Sequence, residues 1–153
     1  MGGMGPRPLS LLLLLATLGA ADERTESAAA REALLKADFE TLAADERDRL
    51  FERLFRLDQT EVVRPAAEVI SHFGTYIAGL EGKIEKLQAD LRKVSDRQGL
   101  TDVEIQLRST WERSLLATEA RWREANQSLD LLARLLGGLR HAGAIQAALS
   151  IFE

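Results

Sequence analysis

The sequence predicts an all-α protein: an elongated antiparallel helical hairpin or coiled coil, joined by an N-terminal helical segment into a three-helix bundle. Three observations predict it. After the first 21 residues, Ala, Leu, Glu, Gln, Lys and Arg dominate, and the β-branched alternation of strands is absent. Apolar residues then recur in regular steps of three and four along two long stretches. The linker between those stretches, Ser95 to Leu100, is short enough to make them antiparallel neighbours.

The chain opens on an export signal. Arg7 is the one charged side chain before Leu9, and Leu9 to Leu18 is almost wholly apolar, with Leu11 to Leu15 an unbroken leucine run. Gly19, Ala20 and Ala21 follow, then Asp22, Glu23 and Arg24. A positive start, a short apolar middle and a small-residue exit describe a secretory signal peptide over residues 1–21, with cleavage after Ala20 or Ala21. The apolar run reaches only ~20 Å at ~1.5 Å per residue, short of a ~30 Å hydrocarbon core, so no transmembrane segment is expected after cleavage. The expected location is outside the cell or in the secretory lumen, or the periplasm of a bacterium. Removing 21 of 153 residues leaves 132, and 19 basic against 24 acidic residues give a formal charge of −5. With no Cys, such a chain has no disulfide and depends on packing or on a partner.

Residues 22–58 form the N-terminal helical segment. Leu35, Phe39 and Leu42 make one stripe, and Leu50, Phe51, Leu54, Phe55 and Leu57 a wider one. Thr41 or Asp45 suits a new helix start between them, so one bent helix and two short helices both fit. Residues 59–138 form the hairpin. Asp58 with Glu61 fits a capping box, and Pro65 is expected near the first turn. The stripe Ile70, Phe73, Ile77, Leu80, Ile84, Leu87, Leu91 and Val94 is a continuous heptad pattern. Gly99 suits a left-handed position in the linker, and Thr101 with Glu104 is a second capping box. The next stripe is Leu107, Trp111, Leu115, Thr118, Trp122, Ala125, Leu129, Leu132 and Leu136, stopped by Gly137-Gly138. Residues 139–153 read as a short C-terminal helix or tail.

The chemistry a catalyst needs is scarce. No Cys excludes thiolate nucleophiles and thiolate metal sites. His72 and His141 fall at the same end of the expected hairpin, with Glu61, Glu68 or Glu153 as oxygen donors to a conceivable metal, but no His-Glu-x-x-His grouping exists and boundary histidines are the expectation. No serine sits in a Gly-x-Ser-x-Gly elbow. No catalytic residue, cofactor or metal is therefore assigned, and a non-enzyme is expected. Gly74, Gly79 and Gly82 suggest close helix approach, a bend or a mobile segment. Arg47, Arg49, Arg53, Arg56 and Arg64, interleaved with acids, read as a solvated face, and the net charge of −4 argues against nucleic acid.

Trp111 and Trp122 are expected as core anchors or interaction residues, with Phe39, Phe51 and Phe55 as counterparts. Asn126-Gln127-Ser128 is an N-glycosylation acceptor that the stripe leaves exposed. The leading functional expectation is an exported, non-enzymatic helical protein that binds another protein or itself. The alternatives are an amphipathic lipid or membrane-surface binder, and a small periplasmic metal- or stress-sensing hairpin. Leu100-Thr101 ahead of a capped helix resembles periplasmic stress-protein hairpins, a resemblance that implies the latter, whereas the lack of His and Met clusters speaks against it.

Overall fold

The computed structural model describes the backbone of residues 8–56 and 59–138, with side chains over 22–56, at 62 and over 64–138. The described residues form four α-helices: α1 (Pro8–Lys36), α2 (Ala44–Leu54), α3 (Gln59–Ser95) and α4 (Asp102–Gly137). Pro8 opens α1, where its fixed φ is helical and its missing N–H would have had no intrahelical partner. The leucine run and the polar residues beyond Asp22 lie in this one helix. Among the described residues, no helix is long and apolar enough to cross a membrane.

α1 ends in a turn built by Asp38. Its carboxylate accepts the Glu40 N–H at 3.0 Å, and its carbonyl accepts the Thr41 and Leu42 N–H groups and the Thr41 hydroxyl, each at 3.1 Å. Thr41 is thereby committed to the turn. α2 starts from Ala43, which is extended (φ −62°, ψ 142°) and gives no side-chain cap. Asp45 and Glu46 occupy the first turn, where carboxylates oppose the positive end of the helix dipole. Of the two open readings, two helices is correct, and neither Thr41 nor Asp45 is the cap. The Asp58 box lies outside the described residues. Because α3 already begins at Gln59, Pro65 sits in its second turn rather than its first.

The α3–α4 connection follows the sequence expectation closely. Gly99 is left-handed at φ 78°. Thr101 Oγ1 accepts the Glu104 N–H at 3.4 Å, and Glu104 Oε2 accepts the Thr101 N–H at 2.9 Å, closing the capping box. α4 stops at Gly137, with Gly138 in right-handed rather than left-handed conformation.

The helices assemble as a packed four-helix bundle. Besides the α3–α4 hairpin, α1 packs on α2 and α3, and α2 packs on α3 and α4. This corrects the elongated hairpin, the coiled coil and the three-helix bundle. The reason is the width of the buried face. A two-stranded coiled coil buries a narrow seam, whereas a helix with neighbours on two sides buries a broad one. On α3 the buried residues are Val62, Ala66, Val69, Phe73, Ile77, Leu80 and Val94, while the heptad residues Ile70, Ile84, Leu87 and Leu91 are only half-buried. On α1 the inward face is Ser27, Ala30 and Leu34, and Leu35 is left half-buried. Ser27 also donates its hydroxyl to the Leu54 carbonyl at 3.0 Å, satisfying a carbonyl at the end of α2.

The core is aromatic at its centre. Phe73 of α3 meets Phe39 edge-on at 5.1 Å and Phe51 of α2 edge-on at 5.4 Å between ring centroids, with Tyr76 against Phe39 at 5.5 Å. Leu54, Leu34 and, from α4, Ala125 and Leu132 close around them. Gly74, Gly79 and Gly82 take no part: a Cβ built at any of them meets nothing within 4 Å, so no close helix approach requires them.

Candidate functional site

Two places on the bundle carry concentrated polar chemistry. The first is buried. Arg47, Phe51 and Leu54 follow steps of four and three along α2, so all three point into the bundle. Arg47 is 2% exposed, which overturns its place on a solvated face; Arg49, Arg53, Arg56 and Arg64 are exposed as expected. Its guanidinium donates to Ser128 Oγ from Nε at 3.0 Å and from Nη2 at 2.8 Å, and to the Glu124 carbonyl at 3.3 Å. It also lies 5.2 Å from the centroid of the Phe73 ring. Ser128, 1% exposed, donates its hydroxyl hydrogen bond to Asp48 Oδ1 at 2.6 Å. Burial pulls the Arg47 pKa below its ordinary value, the nearby Asp48 carboxylate opposes that, and the group remains a cation.

This cluster joins α2 to α4 and leaves no reacting group open. The Ser128 hydroxyl both accepts from Arg47 and donates to Asp48, and among the described residues no imidazole stands beside it to take its proton. No buried side-chain polar atom among the described residues lacks a partner. Sequence reading missed Arg47 and Ser128, although the helical spacing contained a signal. Arg47 is four before Phe51, and Ser128 lies between Ala125 and Leu132 in steps of three and four, so each sits on its helix's apolar stripe.

The second place is a surface groove of ≈ 430 Å³ between α3 and α4, lined by Glu81, Ile84, Glu85, Glu119, Trp122 and Arg123. Trp122 is half-buried, packs against the core and donates its indole N–H to Glu81 Oε1 at 3.1 Å. Trp111 is half-buried further toward the start of α4. Phe51 is fully buried, so it holds the core and offers no surface, and Phe55 is half-buried at the end of α2. The ring contacts of Phe39 and Phe51 are with His72, Phe73 and Tyr76, not with the tryptophans.

Asn126 is not poised for a glycan. It is half-buried in mid-helix, and its side-chain nitrogen, the atom a glycan would occupy, donates to the Trp122 carbonyl at 2.8 Å. Ser128, the third residue of that acceptor, is locked in the buried cluster. The expected exposure of the acceptor is thereby corrected.

His72 is half-buried against Phe39, with ring centroids 5.1 Å apart and Nε2 3.4 Å from the Ala37 carbonyl oxygen. Glu68 is engaged by Arg31 and lies 3.6 Å from Arg64 Nε, contacts that hold its carboxyl below the usual range, Arg31 foremost. Among the described residues, no three or more His, Cys, Asp or Glu converge as a metal site. His141, Glu153 and the Glu61 side chain lie outside the described residues, as does the 139–153 tail.

The structure is therefore a small all-helical domain with a closed polar core and a shallow acidic groove. No protein-family model, no curated protein and no solved structure matches the chain.

Proposed function

We propose that the chain is an exported, non-enzymatic helical protein that works by binding protein surfaces, including its own. The observation that carries this reading is the uneven cover of the α3–α4 hairpin. Helices α1 and α2 cover the hairpin where Val62–Leu80 and Thr118–Leu136 hold all its buried residues but Val94. Beyond that region the same apolar face continues without a third helix among the described residues. Val103 is 74% and Leu107 43% exposed, and Trp111, Leu115, Ile84, Leu87 and Leu91 are half-buried. An apolar helix face left in water gains free energy when a partner covers it.

Export rests on the residue 1–21 signal pattern. The non-enzymatic reading is supported by the closed Arg47–Ser128–Asp48 cluster, which spends its hydrogen bonds on holding α2 to α4. The lipid-binding alternative loses its broadest apolar stretch. Phe51 and Leu54 are fully buried, and Leu50 and Phe55 are packed against the core.

The test is sedimentation velocity of the purified chain over a wide concentration range, beside the V103Q/L107Q variant. Association that grows with concentration and is lost in the variant is the expected result. A concentration-independent monomer that also co-purifies with no protein from its native exported fraction overturns the reading. The mass of the N-terminus of chain isolated from that fraction checks cleavage after Ala20 or Ala21.

A further inference from the structure

The groove beside Trp122 brings unbalanced negative charge and an apolar floor together in one place. Several carboxylates of the helices meet cations, such as Glu40 with Lys83, Glu112 with Arg108 at 2.9 Å, and Glu104 with Arg97 at 3.1 Å. In the groove, three carboxylates face one guanidinium, and Arg123 lies 3.5 Å from Glu119. Glu81 accepts only the neutral indole N–H, and Glu85 has no hydrogen bond or ion pair among the described residues. Beneath these acids, Ile84 and Trp122 present a half-buried apolar floor.

We propose that this groove docks a basic amphipathic segment of a partner protein. An apolar side chain seats on Trp122 and Ile84, and Lys or Arg side chains lie among Glu81, Glu85 and Glu119. Charge complementarity selects this occupant. A cation entering the groove gains two carboxylates that no described side chain neutralises, and the indole face attracts cations as well. Glu81 and Glu85 stand one helical turn apart, about 6 Å, a spacing that basic residues one turn apart on a helical ligand match. A second copy fits poorly, since a symmetric contact through this face would set acid against acid. An anionic lipid headgroup meets the same repulsion. The inference rests on the protein-binding reading; its groove adjoins the exposed hairpin face at Ile84 but does not include Val103 or Leu107.

The probe is a helical peptide with Leu one turn apart, flanked by Arg, beside a copy in which each Arg is Glu. It is titrated into the W111F variant, where Trp122 is the remaining one of two tryptophans, and indole emission is followed. The expected result is a saturable emission shift with the Arg peptide that weakens as salt rises and is absent with the Glu peptide. E81Q/E85Q weakens binding about tenfold, or about 1.4 kcal/mol. E85Q alone disturbs no internal contact and weakens binding in the same direction, which separates lost recognition from lost folding. Equal binding of both peptides, no shift with the Arg peptide, or unchanged affinity in the glutamine variants overturns the proposal. So does binding that requires prior removal of residues 139–153, which would assign the groove to the chain's own C-terminal segment. An emission change on dilution without peptide would assign it to a second copy and equally overturns the proposal. V103Q/L107Q retains peptide binding, so a failure at the hairpin tip and a failure at the groove are read separately.

Discussion

Replacing Ser128 with Ala should destabilise the bundle far more when Arg47 is present than when it is absent. Ser128 Oγ accepts two guanidinium N–H groups, at 3.0 and 2.8 Å, and donates to Asp48 at 2.6 Å. In S128A, a cation only 2% exposed keeps the Glu124 carbonyl at 3.3 Å as its one hydrogen bond, beside the Phe73 ring and the Asp48 charge. Hydrogen bonds to charged groups contribute about 1.5–3 kcal/mol, and the unmet desolvation of a buried cation adds to their loss. Ala recovers about 0.5 kcal/mol through its better helix propensity. The expected net loss in S128A is therefore about 2–3 kcal/mol. In an R47M background the cation is gone and Met fills the space beside Phe73. There, S128A loses only the hydroxyl's bond to Asp48, about 1 kcal/mol or less. Urea unfolding of wild type, S128A, R47M and the double variant, followed by far-UV circular dichroism, gives the coupling directly. A coupling below about 0.5 kcal/mol, the range of independent sites, would refute the cluster as the tie between α2 and α4.

Three further outcomes are expected. Glu68, Glu40 and Glu104 are held below the ordinary carboxylate range by Arg31, Lys83 and Thr101 respectively. Their stabilisation is present above the unfolded-state carboxyl pKa and is lost as pH falls through the folded-state values, so thermal midpoints should drop on acidification, less steeply in E68Q. Gly79→Ala and Gly82→Ala should each stabilise by up to about 1 kcal/mol, since the new Cβ meets nothing, whereas Gly99→Ala at φ 78° should cost about 1–2 kcal/mol, all read from chemical denaturation. Phe73→Ala removes the ring shared by Phe39, Phe51 and Arg47 and should cost about 3–5 kcal/mol, while Leu116→Gln, at a residue 65% exposed, should stay within about 0.5 kcal/mol by the same assay.

What could be read in advance follows the range of the interaction responsible. Gly99 and the Thr101–Glu104 box are made by residues within a few positions of one another, so the α3–α4 connection was legible in the sequence. The all-helical class was legible too, because period and propensity are local. Thr41 failed as a cap because the Asp38 turn, equally local but unrecognised, delays the start of α2 to Ala44. The heptad pattern misled for a different reason. It records which residues of one helix share a face, and is silent on how many neighbours that face will meet.

Helix content, the linker turn and the α4 start were thus determined by the sequence alone, through hydrogen bonds that close within one or two turns. Only the tertiary structure decided that α1 and α2 cover one part of the hairpin, turning a seam into a broad core. The same packing decided the fate of Arg47, whose partner Ser128 lies 81 positions away. An arginine on a charged helix and a serine in a glycan acceptor each look solvated in isolation. Bringing α2 against α4 removes both from water, and each then requires the other to satisfy its hydrogen bonds.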